Sequence, residues 1–107
     1  MTSVLPWTER LEAMLPELIH FRRHLHSHPE LSGEEHQTAA LIAGALREAG
    51  WRVREGVGRT GVVADLGPEQ GAKLGLRVDM DALPVEEHTG LPYASLRQGV
   101  MHACGHD

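Results

Sequence analysis

The sequence predicts an α/β protein: two helices leading into a mixed sheet, in the order helix, helix, strand, strand, strand. Three observations carry that prediction. Apolar residues recur at helical spacings through the first half of the chain. Gly50 stands where the second apolar stripe stops. Beyond it the apolar period shortens from about 3.6 residues to 2, the change that separates helix from strand.

The first stripe lies between Thr8 and His26, where Leu11, Met14, Leu15, Leu18 and Leu25 follow one another at spacings of three, four and seven. Pro16 interrupts it. Proline suits the first turn of a helix rather than its interior, so the stripe reads as two pieces or as one kinked helix. Pro29 biases His28 away from helical angles, which makes "SHPE" the stop. Ser32 and Glu35 have the spacing of a capping box, and a second helix is expected to start there. Ile42, Ala45, Leu46 and Ala49 continue its apolar face, and Gly50 is placed to end it in a left-handed turn. "WRVREGV", "GVVADLG" and "KLGLRVDM" then read as three strands, with the turn "GPEQGA" before the third. From Asp79 onward Pro84, Gly90, Pro92 and Gly99 punctuate an irregular stretch.

Composition narrows the function. A chain of 107 residues is at most one domain, and 41% hydrophobic with 23% charged residues is the balance of a folded protein rather than a disordered one. The formal net charge of −5, with scattered arginines, gives no electrostatic reason to bind nucleic acid or an anionic membrane. Pro6, Glu9, Arg10 and Glu12 break the N-terminal apolar run, so neither a signal peptide nor a membrane span is expected. Cys104 is the single cysteine and cannot form a disulfide within the chain. A cytoplasmic location is the expectation.

Four groups of residues are able to carry chemistry. In "CGHD", Cys104 and His106 flank Gly105, and a looped segment aims a thiolate and an imidazole at one cation where a helix would not. The competing reading is a buried free cysteine beside an unrelated histidine. In "RVDMDALP", Asp79 and Asp81 stand at the C-terminal end of a predicted strand, the rim where open α/β sheets bind ligands. Carboxylates there bind a hard cation, orient a ligating histidine, hold a water, or simply cap a turn. His24, His26 and His28 resemble a metal tract, but Pro29 and the neighbouring Arg22 and Arg23 favour a structural role. Glu86 and Glu87 lack a sequence neighbour that would tune them and read as solvated surface.

Three stretches, "FRRHLHSHPELSGEE", "RVDMDALPVEEHTGLPYAS" and "GVMHACGHD", resemble in order and spacing the N-terminal part of the metal-dependent amidohydrolases related to aminoacylase. The branch includes hippurate hydrolase, N-acyl-amino-acid amidohydrolases and indole-acetyl-amino-acid hydrolases. The resemblance covers the chain from about Leu18 to Asp107 and implies the N-terminal portion of a mixed-sheet, zinc-exopeptidase-like catalytic domain. It implies two divalent ions, manganese or zinc, with cobalt or nickel compatible with the same donor types. Cys104 and His106 map onto metal ligands and Asp81 onto an orienting carboxylate, while Asp79 stands where related branches place a histidine. The implied reaction is hydrolysis of an N-acyl amino acid, conjugate or small peptide by metal-activated water, with a glutamate as general base.

In that family the glutamate, the later histidine ligands and a lid domain used in dimerisation follow the "CGHD" motif. Residues 1–107 are thus expected to be an incomplete catalytic domain, inactive and poorly soluble alone, whose parent is the enzyme and possesses the homo-oligomeric contacts. A catalytically dead module with a binding or regulatory role is the alternative. A redox-sensing thiol at Cys104 is a third reading, weakened by the lack of a second cysteine to resolve an oxidised one.

Overall fold

The computed structural model describes residues 6–106. Residues 1–5 and Asp107, the last residue of the "CGHD" motif, lie outside the described residues. Two helices, α1 (Thr8–Ser27) and α2 (His36–Glu48), precede a two-stranded antiparallel sheet of β1 (Arg52–Val57) and β2 (Gly61–Asp65). No described helix is long and apolar enough to cross a membrane.

Of the two readings left open by Pro16, a single helix holds, since α1 continues through the proline to Ser27. It ends as expected before Pro29. The His28 amide donates to the carbonyls of His24 and Leu25, and the Ser27 hydroxyl donates to the His24 carbonyl. The apolar stripe exists but buries nothing in this chain: Trp7, Leu11, Met14, Leu15, Leu18 and Ile19 are each 40–55% exposed.

The start of α2 differs from the capping box. Residues 31–34 form a turn, with the Glu34 amide donating to the Leu31 carbonyl, and this delays the helix to His36. Glu30, not Ser32, caps it: one carboxylate oxygen accepts the Gln37 amide at 3.1 Å and the other the Thr38 amide at 2.6 Å. A carboxylate has two acceptor oxygens to offer two orphan amides, whereas a serine hydroxyl has one. Glu35 turns its own carboxylate to the Gly33 amide, 2.7 Å away, and to the Thr60 hydroxyl. The expected terminus holds, with Gly50 at φ +91° and its amide on the Arg47 carbonyl.

Thr38, Ala39 and Ala43 form the buried face of α2, which packs on both strands. The strands pair Arg52 with Asp65 and Arg54 with Val63, and the register slips before Val57 meets Gly61. The expected third strand does not form. Residues 73–80 have no strand pairing, and Leu74, Leu76 and Val78 are 99%, 91% and 75% exposed. A strand is defined by its ladder, and residues 73–80 add to neither outer edge of the two-stranded sheet.

From Ala82 onward two isolated bridges replace regular structure. Ala82 pairs in parallel with Leu31, its amide on the Glu30 carbonyl at 2.8 Å. Leu83 pairs antiparallel with Met101, exchanging hydrogen bonds of 2.9 and 3.0 Å. Between them the chain loops back onto α1, where the Leu96 amide donates to the Ser27 carbonyl and Arg23 lies 4.6 Å over the Tyr93 ring.

Candidate metal centre

The Leu83–Met101 bridge assembles the site. In an antiparallel pair, positions equidistant from a bridge face each other. Asp79 lies four residues before Leu83, and Gly105 lies four after Met101, with Cys104 and His106 on either side of it. The bridge thus joins the segment that follows the aspartate motif to the segment that precedes the cysteine–histidine motif. One donor atom each from Asp79, Cys104 and His106 lie within 4.8 Å of one another.

Both Asp79 oxygens are engaged. Oδ2 is 2.6 Å from Nδ1 of His106, and Oδ1 accepts from Nη2 of Arg77 at 2.9 Å. The His106 hydrogen bond first, and the Arg77 charge second, hold the Asp79 carboxyl below its ordinary value of 3.8. The Cys104 thiol is free and half-buried. A cleft of 280 Å³ opens beside the cluster, with Asp79 and His106 on one wall and Phe21, Leu25, Met80 and His102 among the others.

The donor set suits a divalent ion. A thiolate, an imidazole and a carboxylate are the groups that borderline-soft cations accept. Two donors on one ion, at bonds of roughly 2.0–2.3 Å, lie no more than about 4.6 Å apart. In a tetrahedral site such donors lie about 3.3–3.8 Å apart, so closing a spread of up to 4.8 Å onto one ion takes shifts on the order of 1 Å.

The structure brings Cys104 and His106 together and adds Asp79 to them, the aspartate to which no definite role was assigned. Asp81, expected to orient the site, does not join the cluster and stands half-buried immediately before the Ala82 bridge. The histidine tract is structural: His24 and His28 stack with ring centroids 4.3 Å apart, and His26 turns away to Glu87 at 2.9 Å. Glu87 corrects the surface reading. Its side chain is 3% exposed, and it accepts the Ser95 amide at 2.9 Å and the Thr89 hydroxyl as well as meeting His26. Glu86 stays exposed but accepts the Gly99 amide. The available signal was a carboxylate in the middle of a loop rich in proline and glycine, where backbone amides need acceptors.

Comparison with known proteins agrees with this scaffold. The chain superposes with a TM-score of 0.80 and 44% identity on a crystal structure from Bacillus subtilis described as a dinuclear metal binding peptidase from the M20 family, over 89% of this chain and 27% of that one. Residues 75–107 match the model of peptidase family M20/M25/M40, the family named for that crystal structure. It is 53% identical over 98 residues to N-acetyl-L-cysteine deacetylase of Bacillus subtilis, covering 91% of this chain and 24% of the relative. It is 52% identical over 87 residues to hippurate hydrolase of Campylobacter jejuni, covering 80% of this chain and 23% of the relative. The chain thus spans about a quarter of the length of these relatives.

Proposed function

We propose that this chain is the N-terminal portion of a cytoplasmic, metal-dependent amidohydrolase that cleaves the amide bond of N-acyl amino acids or small peptides. The observation that carries the reading is the convergence of Cys104, His106 and a carboxylate within 4.8 Å, with Asp79 and His106 lining a cleft. Cys104 and His106 hold a divalent cation, manganese or zinc, and Asp81 supports the rim from outside the cluster. A bound ion supplies Lewis acidity toward a carbonyl oxygen and a more acidic water. The chain's own residues fix where that ion sits: the bridge at Leu83 and Met101 sets the two motifs opposite each other, and the cleft leaves space for a substrate beside them.

The general base and the remaining ligands are assigned to sequence outside residues 1–107, as are the contacts of a homo-oligomeric parent. Activity therefore belongs to the longer protein. The test is hydrolysis of hippurate and N-acetyl amino acids by the full-length protein with added manganese or zinc, beside Cys104→Ala. Turnover is expected in the parent, and Cys104→Ala is expected to weaken metal binding by more than the roughly 10–100-fold typical of losing an outer-shell partner. Full activity with unchanged metal content in Cys104→Ala would overturn the assignment, and a parent that binds metal but hydrolyses none of these amides would favour a binding module.

A further inference from the structure

We propose that Asp79 is a positioning residue for His106 and not a metal ligand: its carboxylate holds the ring through Nδ1 and leaves Nε2 to face the cation. The inference rests on the reading of Cys104 and His106 as ligands. Three observations separate positioning from ligation. First, the carboxylate has a partner on each oxygen, His106 Nδ1 at 2.6 Å and Arg77 Nη2 at 2.9 Å, so a cation would have to share an oxygen with one of two charge-assisted contacts. Second, an imidazole nitrogen that donates a proton to a carboxylate has no lone pair for a metal. With Nδ1 committed to Asp79, only Nε2 is available to the ion. Third, the Asp79 side chain is 22% exposed and the His106 side chain 73%, so the carboxylate is the less exposed member of the pair and the ring is the more presented one.

The arrangement is a relay of contacts, Arg77 to Asp79 to His106 to the cation. A carboxylate behind a ligating histidine fixes its tautomer and ring plane and raises its basicity. That is the orienting role the sequence assigned to Asp81, and the geometry transfers it to the aspartate two residues earlier. Arg77, 84% exposed along its side chain, is the outer and weaker member.

The experiment uses the full-length protein loaded with cobalt(II), whose d–d bands report ligand number and geometry and whose thiolate charge-transfer band reports Cys104. Asp79→Ala and Asp79→Asn are compared with wild type by cobalt titration. The expected result is about 10–100-fold weaker cobalt binding, with both band systems keeping their wild-type form at saturating metal. Nitrogen-15 spectra of the wild type are expected to show His106 protonated at Nδ1. A changed d–d envelope at saturation would make Asp79 a ligand, and unchanged affinity in both variants would remove its role. Asp79→Asn preserves side-chain shape and carries the test if the alanine variant fails to fold. A wild type without any thiolate band would instead sink the metal assignment of Cys104, a failure distinct from that of Asp79.

Discussion

At the scale of single residues, carboxylates organise the parts of this chain that have no regular structure. Glu87 gathers His26 from α1, the Ser95 amide and the Thr89 hydroxyl, and so ties the loop of residues 87–99 to the helix. Glu87→Ala leaves these groups without their acceptor and is expected to destabilise the fold by about 1–3 kcal/mol, read from urea unfolding. The same carboxylates set an acid limit. The Thr89 hydrogen bond, opposed by burial and aided by Ser95 and His26, holds Glu87 below its ordinary 4.5. For Glu30 and Glu35 burial pushes upward, but hydrogen bonds from Thr38 and Gln37, and from Thr60 and Gly33, outweigh it and the net shift is also downward. A carboxyl depressed in the folded state contributes stability above its unfolded value and loses it as pH falls through the folded one. The unfolding midpoint is therefore expected to hold from neutral pH down to about 5 and to decline below it. The triple variant Glu30→Gln, Glu35→Gln, Glu87→Gln is expected to flatten that decline, and an equally steep one would assign it to other groups. The contact with His26 was not legible in the sequence, because it joins Glu87 to a residue of α1 61 positions away.

At the scale of elements, what was legible is what is local. The stripe of α1, the stop at Pro29, the end of α2 at Gly50 and the two hairpin strands depend on neighbours within a few positions, and the structure contains all of them. The cap of α2 was misread because it depends on how the chain folds back. The cap of α2 is Glu30, six residues before His36, because the intervening turn folds it back over the helix start. Gly61 shows a constraint the sequence hides entirely. It closes the hairpin so tightly that a Cβ there would collide with the Val57 carbonyl oxygen, a backbone atom that cannot swing aside. Gly61→Ala is expected to cost about 1–3 kcal/mol, the range for overpacking, and thermal melts by circular dichroism measure it. An unchanged melting temperature would mean that the β1–β2 turn opens at little cost. The candidate site divides in the same way. Cys104 and His106 announce themselves by spacing, whereas the proximity of Asp79 rather than Asp81 to them appears only in the folded chain.

At the scale of the whole molecule, the chain is too open to be closed on itself. Its accessible surface is 8489 Å², against about 5,900 Å² for a monomer of this mass. Its radius of gyration is 16.2 Å, against about 13 Å for a compact chain of this length. The excess is apolar and arranged. The stripe on α1 and the alternate residues Leu74, Leu76 and Val78 present ordered faces without a covering layer among the described residues. Scattered exposed leucines are ordinary, but a helical stripe beside a segment that alternates with strand period is the pattern of surfaces made to be buried. The third strand read from the sequence is then expected to form only where a longer protein offers residues 73–80 a neighbour to pair with. Amide hydrogen exchange distinguishes the two states. In residues 1–107 alone, the amides of 73–80 are expected to exchange nearly as fast as in an unstructured peptide, while those of β1 and β2 are protected. In the full-length protein the amides of 73–80 that face a neighbouring strand are expected to become protected together, as the members of one ladder do. Equal, fast exchange in both would show that the alternation of Leu74, Leu76 and Val78 never forms a strand, and that the rim carrying Asp79 is held by the isolated bridges of Ala82 and Leu83.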